Sequence, residues 1–377
     1  MMILNVIAKI SWELIINKTK GQKNQVFFIF STFGCCCRFG PNMKEFQSTI
    51  IKTTGQSNLS ITVYNQFQTA SFPSAPWCFN GHAHTVLCSV LFSAPALQSK
   101  RTVIDTPDDD FLELDIIENG KNNPVCVIFH GLEGHTRRYY VARLAEQLVL
   151  RGFQVVLPNF RGCGSKMNRQ RRFYHSGETE DIDTVFKWVN AAFPNSMIFS
   201  AGFSLGASAL LNYLKKNGTH HPVKSIAAIS TPFELKKGSL NLEKGFNKIY
   251  SVRFLRTLKQ KLEMKRNQYP DLPHFTGSTL YDFDDQVTAP IHGFESADDY
   301  YSQCSSYYFM DQIRTDTLIV HSKEDPMCPF KWTPFKAIAE NPKCTCCFTE
   351  KGGHVGFWSL PPGWLNVTVT DYFESFL

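Results

Sequence analysis

Residues 197–216, MIFSAGFSLGASALLNYLKK, join a continuous apolar run to a helical one across a single serine. MIFSAGF (197–203) has the length and character of a fully buried strand. A helix is expected from Leu205 to about Lys216. Between them lies Gly202-Phe203-Ser204-Leu205-Gly206. A strand that becomes a helix over so few residues needs a tight, strained turn. Small residues two before and two after Ser204 let the strand and helix approach closely enough to make it. The hydroxyl then projects above the sheet, and Leu205 N–H lies at a helix N-terminus, aimed at developing negative charge. G-x-S-x-G is common by chance. The strand before it and the helix after it make Ser204 a candidate nucleophile.

A hydroxyl is a weak nucleophile and needs a base, which in turn needs an orienting carboxylate. In a strand–turn–helix setting of this kind the chain order is serine, then acid, then histidine. Asp325, in HSKEDPM, follows the expected strand TDTLIVHS (315–322). His354, in EKGGHVGF, follows the expected strand CTCCFTE (344–350), and Gly352 and Gly353 would let that loop carry the imidazole over the serine. Both sit at carboxyl ends of strands, where sites of parallel sheets gather. Asp325 could instead be a turn-former before Pro326, with Glu324 in its place, and His354 a plain loop histidine. His82, His84, His175 and His292 precede the acid and do not fit the order. His130-Gly131-Leu132-Glu133-Gly134 follows another buried run, PVCVIF (124–129). Its glycines let a backbone amide approach a substrate carbonyl, so Leu132 and Leu205 N–H are the expected oxyanion hole. His130 is expected to hold the loop.

Outward from this point, strands alternate with helices. TVID (102–105) and FLELDII (111–117) are strands joined through TPDDD. A helix over 139–151 ends at Gly152, QVVLP (154–158) is a strand, and acidic residues open a helix over 179–192. VKSIAAIS (223–230) is a further strand. Strands separated by helices of this length imply parallel βαβ units. Residues 231–310 break the rhythm. Phe246, Ile249, Tyr250, Phe254, Leu258 and Leu262 recur at helical spacing, with basic residues expected on the opposite face. An insertion at the carboxyl edge of a sheet is where a lid sits.

The 377 residues allow two or three domains by length alone, but one α/β unit can be this large. With 43% hydrophobic and 19% charged residues, a large core is feasible. The net charge of +6 is uneven: residues 1–53 carry +5, residues 236–266 carry +8, and the rest is acidic at −7. That distribution excludes a nucleic-acid binder and marks the basic segments as contacts for an anionic membrane or as solvated faces. The twelve cysteines lack paired C-x-x-C spacing, so no metal site is expected, and they favour a reducing, cytoplasmic setting, with a peripheral membrane location as the alternative. VFFIFSTFGCCC (26–37) is too short to span a membrane and starts too late for a signal peptide. Residues 1–70 are expected to be a poorly ordered leader, or to reflect a start that belongs at Met43.

The chain resembles the YheT-like branch of the α/β hydrolases, which includes plant embryogenesis-associated and animal abhydrolase-domain proteins. The resemblance covers residues 71–377 and rests on PWCFNGHAHT (76–85), FHGLEG (129–134), PNFRGCG (158–164), YHSGETED (174–181), GFSLG (202–206), FDDQVTAPIHGF (283–294), DDYY (298–301) and GGHVGF (352–357). It implies an α/β-hydrolase fold, with a mostly parallel central sheet flanked by helices and a helical lid insertion. It also implies Ser204, Asp325 and His354 as catalytic triad, carboxylic-ester hydrolysis, and no cofactor or metal. Gly206-Ala207 departs mildly from the Gly-Gly that often follows the serine turn. The position five residues after His354 is Ser359 rather than Asp, which argues against acyl transfer to a lysolipid. YHSGETED is expected to cap a helix and pack beneath the serine turn, and Asp284 or Asp285 to bind Arg161. The expected substrate is a small-molecule ester, of a short- to medium-chain acyl group or a lipid. Thioester or peptide cleavage by the same residues, and a non-catalytic ligand-binding protein on the same fold, are the alternatives. Oligomeric state is not legible.

Overall fold

The computed structural model describes residues 70–377. Eight strands form one sheet in the order β1-β2-β4-β3-β5-β6-β7-β8. They are β1 Lys100–Thr106, β2 Asp110–Ile117, β3 Val125–Phe129, β4 Gln154–Asn159, β5 Ile198–Phe203, β6 Val223–Ile229, β7 Asp316–Ser322 and β8 Cys344–Thr349. β2 pairs antiparallel with β1 and β4, and every pairing from β4 through β8 is parallel. All five residues of β3 and all six of β5 are buried. Covering helices on both faces cause this, because alternate residues point to opposite sides. Val125, Val127 and Phe129 of β3 join one apolar cluster, and Cys126 and Ile128 join the other.

Helices are interspersed with the strands. α1 spans Gly81–Leu91, α2 Tyr139–Leu150, α3 Glu180–Ala192 and α4 Leu205–Asn217. α2 turns Val141, Leu144 and Leu148 onto the sheet, and Gly152, at φ +88°, closes its end. α3 opens on Glu180, Asp181 and Asp183, whose charges suit the positive end of a helix. Its first amides are also capped by Glu178, which accepts from Glu180 and Asp181 N–H at 3.0 and 3.1 Å.

Between β6 and β7 the chain forms α5 Leu235–Leu242, α6 Lys248–Arg266, α7 Leu280–Phe283, a π-helical turn Asp284–Thr288, α8 Ala289–His292 and α9 Ala297–Cys304. After β7 come α10 Phe335–Glu340 and, after β8, α11 Trp364–Glu374. The two-faced division expected of α6 needs correction. Phe246 and Ile249 are exposed, while Leu255 is buried. Two of the basic residues turn inward: Lys261 pairs with Glu133 at 2.8 Å, and Lys265 is fully buried, donating to the carbonyls of Asn168 and Gln170. Hydrogen-bonded partners permit this burial of cations, and those partners lie far away in sequence.

A second correction concerns Arg161. It binds Asp108, Asp110 and Asp181 rather than Asp284 or Asp285. Asp284 instead accepts from Tyr301 and Thr288 hydroxyls, and Asp285 from Ala297 N–H. Of the expected leader only residue 70 is described; the run 26–37 and Met43 lie outside the described residues. Among the described residues no helix is long and apolar enough to cross a membrane.

Candidate active site

β5 ends at Phe203, α4 begins at Leu205, and Ser204 between them has φ +53° and ψ −120°. That conformation is costly for a residue with a side chain, and the surroundings hold it. Ser204 N–H donates to Ile229 O at 2.8 Å, and Ser204 O accepts from Ala207 and Ser208 N–H. Both flanking glycines are obligatory on space alone. A Cβ on Gly202 would sit 2.6 Å from Ala207 Cα, and one on Gly206 would sit 2.5 Å from His130 O.

His354 Nε2 lies 2.7 Å from Ser204 Oγ, and His354 Nδ1 lies 3.0 Å from Asp325 Oδ2. Asp325 Oδ1 accepts from Met327 and Cys328 N–H, both at 2.9 Å. Burial opposes ionisation of Asp325, but the facing His354 imidazole and these donors outweigh it and hold the carboxyl below its usual range. Glu324, the alternative acid, makes no hydrogen bond to His354; its backbone packs against Gly81. The hydrogen-bonded chain is therefore serine, histidine, aspartate, each at the carboxyl end of its strand.

The loop after β3 brings Gly131 against the serine turn: a Cβ there would be 3.1 Å from Ser204 Cβ. Among the described residues neither Leu132 N–H nor Leu205 N–H has an acceptor, and both residues line the cavity beside Ser204. His130 is fully buried and structural. Phe160 N–H donates to its Nε2, which places the ring proton on Nδ1, where it donates to Gly131 O at 2.8 Å. Burial pushes its pKa down to about 3, so the ring stays neutral. Glu133, at φ +52°, is held from three sides. Tyr174 OH donates to its carboxylate and accepts its N–H, and Lys261 of α6 pairs with it.

Sequence reasoning missed the support beneath His354. α1 comes from PWCFNGHAHT and packs against both site loops. His354 N–H donates to Thr85 Oγ at 2.9 Å, and that hydroxyl donates to Gly81 O. A Cβ on Gly81 would lie 1.8 Å from Glu324 O, and one on Gly353 would lie 2.4 Å from Thr85 Oγ. Ser230, at φ +51°, donates its hydroxyl to His354 O. YHSGETED caps α3 and also docks the insertion, since Ser176 N–H donates to Tyr300 OH and Ser176 O accepts from Asn212 of α4.

The cavity over Ser204 measures about 150 Å³. Its walls combine the serine turn, the Leu132 loop and the insertion, with Phe254, Leu258, Phe283 and Val287 giving an apolar lining. Among the described residues one group offers three ligand-type atoms within 4.8 Å: Asp325, Cys328 and His354. Two of the three are bound to each other, since His354 Nδ1 faces Asp325 Oδ2 at 3.0 Å, and Asp325 Oδ1 also accepts from Met327 and Cys328 N–H.

Residues 124–361 match the family described as alpha/beta hydrolase fold. YheT of Escherichia coli, provisionally named an esterase, is 36% identical over 287 residues, 73% of this chain and 84% of that protein. The human phospholipase ABHD3 is 27% identical over 302 residues, 77% of this chain and 74% of that one. In structure, an esterase of Pyrococcus furiosus aligns with a TM-score of 0.52 at 15% identity, covering 82% of this chain and 98% of that chain; this is a likeness of fold. The sheet order, the serine turn and these matches together make the chain a member of the α/β-hydrolase fold family, in its YheT-like branch.

Proposed function

We propose that this chain is a serine hydrolase that cleaves carboxylic esters through an acyl-enzyme on Ser204. The observation that carries the proposal is the unbroken chain Asp325–His354–Ser204, at 3.0 and 2.7 Å, beside two amides with no acceptor. Asp325 fixes the His354 tautomer with its proton on Nδ1, leaving Nε2 free to take the Ser204 proton. Ser204 Oγ attacks the ester carbonyl, and the carbonyl oxygen gains negative charge opposite Leu132 and Leu205 N–H. His354 passes the proton to the departing alcohol. Water then attacks the acyl-enzyme with His354 again as base, releasing the acid and restoring Ser204.

The cavity of about 150 Å³ beside Ser204 is largely apolar and open on one side, which suits a short- to medium-chain acyl group. A longer chain requires the insertion to shift or the tail to leave through the open side. The ester-cleaving names of the bacterial and human relatives agree with this substrate class. We take residues 71–377 as one hydrolase domain, with about 231–310 as its lid. The free thiols among the described residues fit a reducing compartment such as the cytoplasm.

The test is fluorophosphonate labelling together with a chain-length panel of chromogenic esters and acyl-CoA thioesters, on wild type and Ser204→Ala. Labelling and ester turnover should both vanish in the variant, with turnover by wild type highest for short- to medium-chain acyl groups. Labelling retained in Ser204→Ala would move the nucleophile elsewhere. Thioesters turned over faster than every ester would reassign the substrate class, and a folded wild type with neither labelling nor turnover would leave a ligand-binding protein.

A further inference from the structure

α6 presents two different faces. Its inner side, Phe254, Leu258 and Lys261, lines the cavity over Ser204. Its outer side exposes Ile249 (57%) and Val252 (66%), with Phe246 (51%) just before the helix. From Lys244 to Leu262 there is no acidic residue, and Lys244, Lys248, Arg253, Arg256 and Lys259 are all exposed. The first four form no ion pair among the described residues. α1 extends the patch: its His82 ring lies 4.8 Å from that of Phe246, and Phe79, just ahead of α1, is 73% exposed.

We infer that this face docks on an anionic lipid bilayer, so that the roof of the cavity rests on the surface that supplies the ester. Exposed apolar side chains interleaved with cations of one sign match a headgroup layer over acyl chains: the cations meet lipid phosphates and carboxylates, and the apolar side chains enter the layer beneath. The phosphate backbone of a nucleic acid would neutralise the cations but leave Phe246, Ile249 and Val252 in water. A neutral protein surface would do the reverse. Docking itself is independent of the reaction. That the bilayer delivers the ester rests on the esterase reading.

Co-sedimentation of the full chain with vesicles tests the inference, using pure phosphatidylcholine and phosphatidylcholine containing about a third phosphatidylserine. Hydrolysis of a soluble short-chain ester is followed in parallel. Binding should appear only with phosphatidylserine and weaken as salt is raised. Lys248→Gln with Arg256→Gln should weaken it about twenty-fivefold, at about fivefold per cation removed. Ile249→Ser with Val252→Ser should also weaken it, and both pairs should leave turnover of the soluble ester intact. Failure of that turnover in wild type strikes the esterase reading, not the docking. Equal binding to the two vesicle types, equal binding by the variants, or equally tight binding to a DNA duplex would overturn the docking.

Discussion

Single atoms decide whether Ser204 can react, and two substitutions test this. In Asp325→Asn the amide oxygen can still accept from Met327 and Cys328 N–H, so the loop should survive. The amide nitrogen would then face His354 Nδ1 and push the imidazole proton to Nε2, the atom that must accept from Ser204. Turnover should fall by roughly 10³–10⁴ with little change in melting temperature. A loss of less than tenfold would remove Asp325 from the role proposed for it. Thr85→Val keeps shape but deletes the acceptor of His354 N–H. A buried N–H left unsatisfied costs about 1–3 kcal/mol, part of which the loop can relieve by moving the imidazole. We expect kcat to fall about tenfold with KM unchanged, and Thr85→Ser to restore it. If Ser fails to rescue, Thr85 acts through its methyl packing rather than through the hydrogen bond.

Among the elements, the insertion is held together internally by an acid whose charge depends on pH. Burial pushes Asp284 up to about 6, against hydrogen bonds from Tyr301 and Thr288 that favour its ionised form. A carboxyl raised in the native state binds its proton more tightly there than in the unfolded chain. Its stabilising contribution is thus complete below about pH 4 and is lost as pH rises through 6. Asp284→Asn cannot ionise, so the stability of the variant relative to wild type should grow between pH 4 and 7, by up to about 3 kcal/mol. Parallel denaturation curves across that range would show that Asp284 is solvated. The elements also differ in how far they could be read. β3 and β5 are largely apolar runs, IAAI and LIV form the apolar middles of β6 and β7, and Ser204, Asp325 and His354 follow the carboxyl ends of β5, β7 and β8 in the expected order. α1 was not legible. Its buried face has helical spacing, but it consists of Gly81, His84, Thr85 and Cys88, so no apolar period marks it. Lys261 and Lys265 read as solvated because charge normally is; the groups that satisfy them, Glu133 and the carbonyls of Asn168 and Gln170, are close only after folding.

For the molecule as a whole, the antiparallel edge is tied to the rest of the fold by a buried ionic cluster centred on one arginine. Arg161 follows β4 and its side chain is wholly buried. It bonds Asp108 and Asp110 at the β1–β2 turn and Asp181 at the start of α3, each at 2.7–2.9 Å. Asp110 in turn accepts from Asn168 Nδ2 and from Arg169 and Gln170 N–H, fastening the loop on which Lys265 also ends. Replacing the whole group by apolar side chains could be neutral, since burying charge is costly in itself. Removing the arginine alone takes from Asp110 its ion pair and leaves Asp181 with only the longer contact to Arg172 at 3.5 Å, which costs about 3–5 kcal/mol. Arg161→Leu should therefore lower the melting temperature on the order of 10 °C. Arg161→Lys should recover little, because one ammonium cannot serve three carboxylates in the planar fork geometry. The control is Arg151→Leu. Arg151 pairs with Asp371 and Glu374, but at 38% side-chain exposure water replaces those contacts, and the loss should stay within about 1 kcal/mol. Equal losses from the two leucine variants would mean that burial does not set the strength of the Arg161 cluster, and that the β1–β2 edge is secured by its backbone pairing with β4.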